Sequence, residues 1–141
     1  MAIYLYLADL FPKAGLAPGL GDRRRGPYLR WIAFYAGCFE PAMVDRAMKR
    51  EPGPAAMSPY GDFDTVMETV NAQLRAGPYL LGQDFLAADV LWGSALRWMT
   101  AFGLVPETPD IKAYIARTTD RPAAMRVRDQ DAALAAQQKT S

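Results

Sequence analysis

Apolar residues in this chain recur at helical spacing almost throughout, and no stretch of useful length alternates apolar and polar as a half-buried strand does. Clusters of Gly and Pro punctuate the pattern. The sequence therefore predicts an all-α fold, a bundle of five to seven helices. With 141 residues, 51% of them hydrophobic and 22% charged, it has the size and composition of one ordinary globular domain.

The first predicted helix runs from Ala2 to Phe11 and stops before Pro12, and PKAGLAPGLGD then reads as a turn-rich connector. Pro27 suits the first turn of a second helix, whose apolar residues fall on more than one face, as in a helix buried on several sides. Pro41 has no N–H to give the preceding turn, which predicts a bend near Gly37 and Cys38. Ser58 and Pro59 read as the N-cap and first position of a third long helix, with Asp62 and Asp64 complementing its dipole. Phe63, Val66, Met67, Val70 and Leu74 form its buried stripe.

The stretch GQDFLAADVLWG, residues 82 to 93, sets one acid inside an otherwise apolar run. With Leu86 as N-cap, Asp89 is the third helical residue and its carboxylate can accept the Leu86 N–H. Phe85 and Val90 then occupy the two positions of a hydrophobic staple. Asp89 is read as a device that specifies how the chain enters the helix, and not as a catalytic group.

Several function classes are excluded by what is missing. A net charge of +1 offers no basic surface for nucleic acid. The chain has no histidine and only one cysteine, Cys38, which removes Ser-His-Asp and Cys-His nucleophiles, a structural zinc site and an internal disulfide. GLGD at 19 to 22 lacks the preceding strand and third glycine of a phosphate loop. The start, MAIYLYLADLF, has no basic region ahead of its apolar residues, and no stretch approaches a membrane span. A cytoplasmic protein that binds no membrane is expected.

YLLGQDFLAADVLWG closely resembles the pattern that opens the central helix of the glutathione S-transferase C-terminal domain. PDIKAYIARTTDRPAAMR resembles the next two helices of that family, and AIYLYLADLFPKAGLAP the last helix of its thioredoxin-like domain with the linker that follows. On this resemblance residues 1–20 are that last helix and linker, 21–130 the helical domain, and 131–141 a polar, flexible tail. The family usually has Ser or Thr where this chain has Leu86, so a serine at 86 is expected to add the worth of a side-chain cap, about 0.5–2 kcal/mol.

The resemblance implies an enzyme that conjugates glutathione, a co-substrate and not a cofactor, to electrophilic apolar compounds, working as a homodimer. The catalytic Tyr, Ser or Cys of the family belongs to the thioredoxin-like domain, so no catalytic residue and no metal site is assigned here. The helical domain would line the hydrophobic co-substrate pocket and supply dimer contacts. Tyr28, Trp31, Phe34, Tyr35 and Cys38 are the pocket candidates, against a plainer reading of the aromatics as core or dimer contacts, with Trp98 and Met99 behind them, against a plainer reading as core filler. Arg23, Arg24 and Arg25 in GDRRRG would either form a solvated loop or reach the carboxylates of glutathione. Arg117 and Arg121 are expected to pair with Asp89, Asp110 or Asp120, and Cys38 to be structural. Ile3, Leu5 and Leu7 are expected against the helical core or in a dimer. The competing reading is a non-catalytic interaction or assembly module, as in the gamma-type subunit of a translation elongation factor complex, or a small-molecule binder.

Overall fold

The structure, a computed structural model, describes residues 1–51 and 53–138. Among these it is entirely helical: α1 (Ala2–Leu10), α2 (Arg25–Phe34), α3 (Glu40–Ala47), α4 (Phe63–Arg75), α5 (Ala87–Ala101), α6 (Pro109–Thr119) and α7 (Pro122–Gln138). A wide turn over Tyr35–Phe39 joins α2 to α3 without a break. Six helices result if that pair counts as one, within the five to seven expected.

α5 is the centre of the bundle, packing on α6, α2 and α1, while α4 lies against α3 and α6. Its Trp92 is wholly buried, and its indole N–H donates to the Trp31 carbonyl at 3.0 Å. Around it stand Phe39, Trp31, Tyr35 and Phe34, at centroid distances of 4.8, 5.5, 5.7 and 6.1 Å. One tryptophan thus ties α2, the wide turn and α5 into a single core.

The α5–α6 crossing is close because Gly93 lacks a side chain: a Cβ there would lie 2.6 Å from the Cβ of Thr118 and would also clash with its hydroxyl. Thr118 cannot swing aside easily, since its hydroxyl donates to the Tyr114 carbonyl at 2.8 Å.

The start of α5 is built as the sequence predicts. Leu86 is the N-cap in extended backbone, and Asp89 Oδ2 accepts its N–H at 2.9 Å. Asp89 does more than cap, because Oδ1 accepts the Leu80 N–H at 2.9 Å and the Tyr114 hydroxyl at 2.8 Å. The carboxylate therefore fastens the 80s loop, α5 and α6 together at a point with no solvent exposure. That burial holds its pKa above the ordinary carboxylate value, against the pull of the three donors. Burial, and then the neighbouring Asp89 charge, likewise push the Tyr114 phenol upward. Leu86 itself is buried, at 3% exposure.

Two expectations are corrected. The third long helix does not start at Ser58: Gly61 takes φ +76°, which ends a turn in which the Ser58 hydroxyl donates to the Gly61 carbonyl, and Asp62 caps α4 by accepting the Thr65 N–H at 2.7 Å. Arg117 and Arg121 do not pair with acids; Arg117 donates to the Pro78 carbonyl at 2.7 Å and Arg121 lies 3.9 Å over the Phe85 ring, while Asp110 pairs with Arg75 at 3.1 Å. Asp89 is sealed among buried donors, where a guanidinium would have to be desolvated. Residues 131–138 continue α7, as their alanine content favours, and residues 139–141 lie outside the described part. On α1 Ala8 is buried and Tyr4 and Leu5 pack on the core, as expected of Leu5, while Ile3 and Leu7 are exposed in the single chain, as are Tyr6 and Leu10.

Candidate functional site

The bend expected from Pro41 takes the form of one wide helical turn. Without an N–H at Pro41 the ladder loosens, and the Glu40 N–H reaches back five residues to the Tyr35 carbonyl. That change of register turns Phe39 fully into the core and leaves Tyr35 half-buried at the surface of α5. It also brings Glu40 within 3.3 Å of the Tyr35 hydroxyl, which donates to Oε1. Burial, and after it the Glu40 charge, push the Tyr35 phenol up to about 12.

An open cleft of about 460 Å³ lies here, bounded by Tyr4 of α1, Tyr35 of the wide turn, Glu40 at the start of α3, and Trp98, Met99 and Phe102 at the end of α5. Trp98 and Phe102 stack at 5.2 Å with 26° between their planes and stay 54% and 68% exposed. The walls are mostly apolar, four of the nine lining residues being aromatic, and Glu40 is the one charged lining residue. Such a cleft can hold an apolar or aromatic molecule and orient it, but it presents no nucleophile with a base beside it.

A larger groove, about 830 Å³, opens on the other side of Trp98 between α5 and α7. Phe85 and Val90, the staple positions, lie in its floor, and Arg97, Arg121 and Arg128 stand along it with Asp131.

The structure separates the sequence candidates. Tyr35, Trp98 and Met99 come together in the cleft. Tyr28 and Trp31 do not line it, being only 0% and 2% exposed in the core, and Phe34 packs against both Trp31 and Trp92. Cys38 is half-buried, its Sγ 3.7 Å from the Pro59 carbonyl. Arg24 grips Asp22, with the guanidinium on both carboxylate oxygens, and also binds Asp84; Arg25 makes two 2.7 Å bonds to Asp9 and one to the Pro18 carbonyl. Both arginines thus lash the connector to its neighbours, while Arg23 is exposed. Sequence reasoning missed Tyr4, Glu40 and Phe102. Phe102 carried a signal, one turn beyond Trp98, but Glu40 reaches Tyr35 only through the five-residue turn.

No protein-family profile and no curated protein sequence matches the chain. Solved structures do. A glutathione transferase from Methylococcus capsulatus str. Bath superposes with a TM-score of 0.76 at 28% identity, covering 93% of this chain. This is the helical domain of the glutathione transferase fold. BphK, a bacterial glutathione transferase solved as a ternary complex, matches with a TM-score of 0.72 at 25% identity over 89% of the chain. The transferase-type domain spans only 66% and 63% of the length of these two structures. Among the described residues no group of His, Cys, Asp and Glu could hold a metal ion, and no helix is long and apolar enough to cross a membrane.

Proposed function

We propose that this domain supplies the acceptor pocket of an enzyme that conjugates glutathione to apolar electrophiles, and that the cleft between Tyr35 and Trp98 is that pocket. The observation that carries this reading is the aromatic cleft itself, open to solvent on a domain whose fold is that of glutathione transferases. In the reaction a glutathione thiolate attacks the electrophilic carbon and the leaving group departs. The cleft would hold the acceptor in place for that attack. Thiol activation is assigned to no residue of this chain. The exposed apolar face of α1, with Ile3, Leu7 and Leu10, would be covered by the remaining third of the transferase fold. A cytoplasmic homodimer is the assembly that goes with this reading.

Calorimetric titration with glutathione and with S-hexyl glutathione tests it. The apolar tail should give the S-hexyl compound measurable affinity for the 141-residue chain, and Trp98→Ala should weaken it roughly tenfold, the scale of one lost aromatic wall. Equal affinity in the wild type and in Trp98→Ala would overturn the placement of the pocket.

A further inference from the structure

The cleft and the groove carry opposite charge. The groove beside α7 has three arginines and a single acid, whereas the cleft has Glu40 and no Lys or Arg. Aromatic rings present electron-rich faces, and a carboxylate set among them is the arrangement that recognises quaternary ammonium groups. Here Tyr4, Tyr35, Trp98 and Phe102 supply the rings, and the stacked Trp98 and Phe102 remain more than half exposed. The Tyr35 hydroxyl, donating to Oε1 at 3.3 Å, holds the Glu40 carboxylate at the cleft wall. An anion placed there would meet Glu40 and four electron-rich faces with no cation to balance them. A quaternary ammonium asks for no hydrogen-bond partner, which suits walls whose polar atoms are few.

We propose that the cleft selects lipophilic cations: a flat aromatic ring bearing a quaternary ammonium group, the ring on Trp98 and Phe102 and the charge beside Glu40. This rests on the reading of the cleft as the ligand pocket and narrows what that pocket accepts.

The test compares three probes on the 141-residue chain: benzyltrimethylammonium, its neutral isostere with carbon in place of nitrogen, and benzenesulfonate. The cation should bind about three- to tenfold more tightly than the neutral isostere, the range expected for a cation over exposed rings with one carboxylate. The advantage should shrink as salt is raised. In Glu40→Gln, which keeps an acceptor for the Tyr35 hydroxyl at an exposed position, the cation should fall towards the neutral isostere while the isostere itself is unchanged. In Trp98→Ala both should weaken. Equal binding of cation and neutral isostere, or sulfonate binding as tight as the cation, overturns the charge selection and leaves the pocket standing. Failure of all three probes to bind overturns the pocket as well.

Discussion

Replacing Asp89 tests whether one buried carboxylate holds three elements together. Its oxygens take the Leu80 and Leu86 amides and the Tyr114 hydroxyl, and all three donors sit at positions no more than 3% exposed. Asp89→Ala strands the three donors, each at about 1–3 kcal/mol, while removing the cost of burying a charge. The net loss should be about 3–5 kcal/mol, the three stranded donors together less the cost of burying the charge. Asp89→Asn can keep its amide oxygen on the Leu80 and Tyr114 side but turns an NH₂ towards the Leu86 amide, and should lose about 1–3 kcal/mol. The pH dependence has a definite sign. Because burial raises the folded pKa above the unfolded value, the protonation-linked part of the stability Asp89 contributes is full below the unfolded value and is lost as pH rises through the folded one. The gap between wild type and Asp89→Asn should therefore narrow as pH rises. Urea unfolding followed by tryptophan fluorescence reads all of this. An alanine variant within about 0.5 kcal/mol of wild type, which is ordinary for an inert surface site, or an asparagine variant as damaged as the alanine one, would refute the three-donor account.

Leu86→Ser, which the sequence alone marks as a stabilising cap, should instead cost about 1–3 kcal/mol, since the buried leucine is worth more than the cap gained; a raised melting temperature would contradict this. Gly93→Ala should cost about 1–3 kcal/mol or more by forcing α5 from α6, and an unchanged melt would show that the crossing can give. Asp22, held down to about 2 first by its Arg24 side-chain hydrogen bond and then by the Arg24 amide, contributes stability above the ordinary carboxylate pKa and loses it as pH falls. The gap between wild type and Asp22→Asn should thus be present at neutral pH and close in acid, opposite in trend to Asp89, and a gap that grows in acid would refute the pairing.

Where a local rule decided the structure, the sequence was readable. The α5 entry follows from the spacing of Leu86 and Asp89, and the wide turn around Gly37 follows from Pro41 lacking an N–H. The α4 start shows a local contest: Ser58-Pro59 and Asp62 both offer cap chemistry, and the left-handed Gly61 between them leaves the later one to begin the helix. The site was only partly readable. A helix apolar all round does not say which of Tyr28, Trp31, Phe34 and Tyr35 faces a cleft, and Glu40 joins it only because the five-residue turn shifts the register. The partners of Arg117 and Arg121 were not readable either, since long side chains settle on whatever the tertiary fold puts within reach.

The central claim is that the Tyr35–Trp98 cleft receives the apolar part of the ligand. Heteronuclear NMR of the labelled chain titrated with S-hexyl glutathione addresses it directly. Shift changes concentrated at Tyr35, Glu40, Leu91, Met99 and Phe102, with Val127 and Arg128 of the α7 groove unmoved, are the result expected. Changes concentrated at Val127 and Arg128, with the cleft silent, would contradict the claim.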